Sequence, residues 1–140
     1  MNKFVSFNDI GYVAATFPVD AATQAYLVAN HTNPKTGNVD INGKNLGVAL
    51  GTDGTVTLPT GNNTASLLGI VIAYEMDGFA SVQIKGGVDD VPTAAALTTG
   101  VKGLVVNASG AIAAGAEGAG TVAIVAKPST ANSLYASIIL

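Results

Sequence analysis

Short apolar segments punctuated by turn dipeptides run along the chain, and their spacing predicts an antiparallel, locally connected β fold. Asn42-Gly43 separates residues 37–41 from 46–50, and Asp53-Gly54 separates the latter from 55–59. Asp77-Gly78 lies between 67–75 and 79–85, and Ser109-Gly110 between 103–108 and 111–113. Asn-Gly and Asp-Gly reach the positive φ angles of tight hairpin turns at low steric cost. Residues 81–85 alternate polar and apolar, as in a strand with one wet face. Residues 67–74 and 121–126 are apolar on both faces, which suits central strands or strands covered by a neighbouring subunit. The tail, residues 134–140, is β-rich to Ile138-Ile139-Leu140 and is expected to pair in a sheet.

Helix is predicted sparingly. Residues 93–99 lie between Pro92 and Gly100, a sensible start and stop for one or two turns. Over residues 20–28, Asp20 is placed to cap a helix, while the side-chain alternation suits a strand equally; both readings stand. The first 18 residues carry Phe4, Phe7, Ile10, Tyr12 and Phe17 spaced among polar positions and read as an extended arm. Residues 19–140 then form a single β domain, and deleting 1–18 is expected to leave it folded.

Composition turns this picture toward association. Only 11% of the 140 residues are charged, against about 25% in an average soluble domain. The chain is 49% hydrophobic but only 6% aromatic, so Ala and Val supply much of the apolar surface. Few ions need desolvating when such a surface meets a partner, which favours an oligomer or lattice component. Net charge is −3, and the six cations are all lysines, scattered singly as Lys3, Lys35, Lys44, Lys85, Lys102 and Lys127. With no arginine fork and no basic cluster, nucleic acid is not an expected partner. The chain has no cysteine, so neither disulfides nor thiolate metal ligands hold it together. The longest apolar run, 67–74, falls far short of the ~20 residues a membrane helix requires. The N-terminal stretch lacks the apolar core of a signal peptide, so synthesis in the cytoplasm is expected.

No residue pattern points to catalysis or to a cofactor. His31 is the single histidine and sits in a polar, turn-forming run, with no cysteine to activate. Asp89-Asp90 is the adjacent acid pair; a strand would send the two carboxylates to opposite faces, and a charged loop before Pro92 is the simpler reading. The run 38–43 superficially resembles the start of a calcium loop, but Leu46 and Ala49 occupy its ninth and twelfth positions, so a hairpin turn is expected. Residues 115–120 are glycine-rich without the Lys-Ser/Thr of a phosphate loop and precede a strand-like segment. The expected metal, cofactor and catalytic sets are empty.

The order of elements in the C-terminal half carries a family resemblance. Leu68-Gly69-Ile70-Val71-Ile72-Ala73 is followed by Asp77-Gly78, then Ser81-Val82-Gln83-Ile84-Lys85-Gly86-Gly87-Val88. Val91-Pro92 and Ala95-Ala96-Leu97-Thr98-Thr99-Gly100 come next, then Gly103-Leu104-Val105-Val106 and the Ser109-Gly110-Ala111-Ile112 turn. This order resembles phage capsid decoration proteins, also called cement or head-stabilising proteins. The resemblance covers residues 67–140 and leaves 1–40 without a counterpart. It implies a small antiparallel β-barrel or β-tulip-like body with an N-terminal arm. It also implies a homotrimer on the outer surface of an icosahedral head, at three-fold and quasi-three-fold positions, bound to the major capsid protein. Phe4, Phe7, Ile10 and Tyr12 are then the candidate capsid-contact residues, and neither nucleic acid nor membrane is a partner. Other expectations kept beside it are a head-fibre base, a tail-tube or pilin-like subunit, and a carbohydrate-binding β-module. The last is weakened by the absence of Trp and by only four Tyr and four Phe.

Overall fold

The computed structural model describes residues 11–75, 77–116 and 118–140. It is mainly β, with one helix and a strongly curled, half-barrel sheet. The strands are β1 (Val13–Pro18), β2 (Gly47–Leu50), β3 (Val56–Thr57), β4 (Ala65–Ser66), β5 (Gly69–Tyr74) and β6 (Phe79–Lys85). They continue with β7 (Gly87–Pro92), β8 (Gly100–Val106), β9 (Ile112–Ala114), β10 (Thr121–Lys127) and β11 (Tyr135–Ile139), and helix α1 spans Ala21–His31. One sheet has the order β1-β6-β5-β2-β3, the other β4-β8-β10-β11-β7, with β9 paired to β8. Every named strand pair is antiparallel. The sheets are joined where β6 runs into β7 through Gly86, and one hydrophobic core draws on both.

Three of the four turn dipeptides close hairpins where the pattern placed them: β2–β3 at Asp53-Gly54, β5–β6 at Asp77-Gly78 and β8–β9 at Ser109-Gly110. Their glycines take φ of 81°, 85° and 82°, the left-handed geometry such turns demand. Asn42-Gly43 makes a turn but closes no hairpin, because residues 37–41 form no strand. That segment bridges Val39 back to Thr32, Asp40 N–H donates to His31 O at 2.9 Å, and Ile41 is buried in the core. The tail is paired as expected, with β11 between β10 and β7.

The helical alternative is the one realised over residues 20–28. Asp20 accepts the Thr23 N–H at 2.7 Å, the N-cap bond that satisfies an otherwise unpaired helix donor. Thr23 and Leu27, one turn apart, are the buried positions of α1, while Val28 and most of the rest face outward.

Two further expectations require correction. Residues 93–99 are not helical. Thr93 N–H bonds Leu134 O and Ala94 N–H bonds Ile112 O, both at 2.9 Å, so tertiary partners take the donors a helix would have used. Buried Ser129 accepts from Leu97 N–H at 2.8 Å and from the Thr93 hydroxyl at 2.9 Å, which pins Leu97 into the core. Asp89 and Asp90 lie within β7 and not in a loop. The β7–β11 ladder passes from Val88↔Ile138 to Val91↔Ala136, so two acids oppose the single Ser137 in a β-bulge. Asp90 takes the positive φ of that bulge, 54°, and Asn45 Nδ2 braces it by donating to Asp89 O at 2.8 Å.

Candidate interaction surface

An apolar row crosses the outward face of the six-stranded sheet. Period-two alternation sends Leu104, Ala123, Val125, Ala136 and Ile138 into the core, so the intervening residues face away from it. Register then aligns four of those across the strands. Gly87 on β7 pairs with Ile139 on β11, Ile139 with Ile124 on β10, and Ile124 with Val101 on β8. Val122 adds a second apolar position on β10, opposite Gly103. Val101 and Val122 keep 72% and 71% of their surface exposed and Ile124 keeps 44%, values rarely accepted for neighbouring β-branched residues on one face. Tyr135, on the same side of β11, is 52% exposed. No charged side chain stands in the row between Gly87 and Val101.

The sequence marked part of this surface, since residues 121–126 read as apolar on both faces. One face of β10 is core; the other is uncovered among the described residues. Val101 and Ile139 went unmarked because only strand register brings them beside Ile124.

Phe4, Phe7 and Ile10 lie outside the described residues. Tyr12 is described, exposed, and packed against Gly86 at the junction of the sheets. A Cβ on Gly86 would lie 2.7 Å from Gly11 O and 2.8 Å from Tyr12 Cβ, so only glycine admits this approach. The stretch 1–18 is therefore divided. Its last six residues, Val13–Pro18, are strand β1, paired along β6 from Lys85 to Phe79, and Phe17 packs against the core. Among the described residues nothing pairs with the other edge of β1, and the strand carries no charged residue.

His31 ends α1, half-buried, with its ring centroid 5.9 Å from that of Tyr26. Burial holds its pKa below the ordinary histidine value, and nearby Lys44 lowers it further. It borders an open polar groove of about 470 Å3 with Asn33, Lys35, Asp40 and Lys44. Asp89 accepts a hydrogen bond from the buried Ser137 hydroxyl, which fastens the β7 bulge to β11. Between β9 and β10, Ala119 packs over Gly103, whose carbonyl accepts Gly115 N–H at 2.8 Å. Among the described residues, no three His, Cys, Asp or Glu side chains group as metal ligands would, and no helix is long and apolar enough to cross a membrane. Compared with protein families, curated proteins and solved structures, the chain matches none.

Proposed function

We propose that this chain is a structural virion protein that binds the outer surface of an icosahedral phage capsid and stabilises the expanded shell. It acts as a homotrimer at three-fold and quasi-three-fold positions, in contact with the major capsid protein. The observation that carries this reading is the uncharged row Ile139–Ile124–Val101 with Val122 beside it, a rigid sheet face that is costly to leave in water. The resemblance of residues 67–140 to decoration proteins supplies the partner. Three copies engaging three sites gain from effective concentration, so each contact can be modest.

Co-sedimentation with expanded, undecorated phage heads tests the proposal. The protein should pellet with the heads. Val122→Lys should lose at least tenfold in affinity while changing unfolding free energy by no more than ~0.5 kcal/mol, since the site is exposed. Cryo-EM of decorated heads should place the chain at the three-fold axes. A protein that stays monomeric and never pellets overturns the reading.

One feature favours a second reading, a filament or tail-tube subunit. The edge of β1, unpaired among the described residues, lacks the charges that normally blunt strand pairing. Head-to-tail pairing there would build open polymers, which light scattering distinguishes from a discrete trimer.

A further inference from the structure

We propose that the outer edge of β1 pairs with the same edge of a second copy of this chain, antiparallel across a two-fold axis at Ala15. The five-stranded sheets of the two copies then run on into each other. This contact goes beyond shell docking and does not depend on it.

Hydrogen-bond parity decides which groups the edge offers. Val19 N–H donates to Gly78 O at 2.9 Å, in step with the pairs Phe17↔Ala80 and Ala15↔Val82. Bonded and non-bonded pairs alternate along an antiparallel ladder, so Ala15, Phe17 and Val19 turn their backbone groups to β6. Ala14 and Thr16 turn theirs to the other edge. There, as the same parity requires, Asp20 N–H donates to Val56 O at 3.1 Å, which closes that edge beyond Pro18. Among the described residues nothing pairs with Ala14 or Thr16 on this side, and Pro18 brings no donor to it. Three two-fold registers are open to such an edge. With Thr16 opposite Thr16 of the second copy, Ala14 faces Pro18 and loses a bond. With Ala14 opposite Ala14, Phe17 faces Gly11. With Ala15 on the axis, Ala14 of each copy exchanges both backbone bonds with Thr16 of the other. That register also sets Val13, 51% exposed, directly opposite Phe17, a branched–aromatic pair of the kind that stabilises sheets. Ala15 meets Ala15, small enough for the close approach of a non-hydrogen-bonded pair. The edge thus complements itself, and β1 carries no charge to repel its copy.

The absence of native cysteine lets single substitutions read the register in the full-length chain. In Ala15→Cys, mild oxidation should link two copies, seen as a dimer on a non-reducing denaturing gel, because Cα atoms across the axis stand about 4.5 Å apart. Ala14→Cys should link at least tenfold less, since its copies stand two residues out of step, beyond the ~7 Å that a disulfide spans. No dimer from Ala15→Cys, or equal yields from the two variants, overturns the proposal. A pair of charge variants that keep Ala15 gives an independent readout by sedimentation equilibrium. Ala14→Lys/Thr16→Lys sets lysine opposite lysine and should show about half the mass of Ala14→Lys/Thr16→Glu, which sets lysine opposite glutamate. Both positions are exposed, so circular dichroism should show the two variants equally folded. Equal masses would overturn the two-fold contact. None of these measurements includes phage heads. Loss of the cross-link therefore leaves shell docking standing, and failure to pellet with heads leaves the paired edge standing.

Discussion

The Asp20 carboxylate holds the start of α1, and its environment makes that contribution dependent on pH. Burial alone would raise its pKa, but hydrogen bonds from the Thr57 and Thr23 side chains and the Thr23 N–H bring it below the ordinary carboxylate value. A group depressed in the folded state contributes stability above its unfolded pKa and loses it as pH falls through the folded one. Asp20→Ala should therefore cost about 1 kcal/mol at neutral pH by urea denaturation, and Asp20→Asn less, since the amide oxygen still caps. The difference between wild type and Asp20→Ala should shrink as pH drops below about 4. His31 behaves in the same sense at higher pH. Its lowered pKa means that the unfolded chain binds the proton more readily, so acidification below about 6.5 destabilises the fold. In His31→Gln that part of the pH dependence should vanish from the denaturation midpoints.

At the level of elements, the connection between β7 and β8 is held by a buried polar cluster. Ser129 accepts from Leu97 N–H and the Thr93 hydroxyl and donates to Ala95 O at 3.2 Å. Ser129→Ala should cost about 1–3 kcal/mol in chemical denaturation, because it leaves the Leu97 N–H buried without an acceptor. This cluster also explains why the helix expected over 93–99 is absent. Three alanines favour helix locally, but so short a segment cannot repay helix nucleation, and Leu134, Ile112 and Ser129 offer its donors better partners. None of those partners is near in sequence. For α1 the pattern was ambiguous for a different reason: with only Thr23 and Leu27 buried, the helix shows too narrow an apolar stripe to stand out from strand alternation. The hairpins were legible because Asp-Gly and Ser-Gly act within four residues.

For the molecule as a whole, β1 ties the N-terminal stretch to the body. Deleting 1–18 removes a strand from β6 and takes Phe17 from the core, and Val19 N–H bonds Gly78 O at 2.9 Å immediately beyond it. That deletion should cost about 3 kcal/mol or more, the scale of losing a large apolar side chain. Deleting only residues 1–10 removes none of the described pairings. Thermal unfolding of the two truncations should show one cooperative transition each, strongly lowered only in the longer deletion, because both sheets share one core.

Alternation, turn dipeptides and the dearth of charge established from the chain alone that it is a β protein built of hairpins, with apolar surface to spare. Those signals are local or compositional, and local physics reads them without knowing the fold. The row from Gly87 to Val101, the Asp89-Asp90 bulge and the Ser129 cluster join residues tens of positions apart. Strand register and core packing fix such partnerships, and a one-residue slip in register would turn the same side chains to the opposite face.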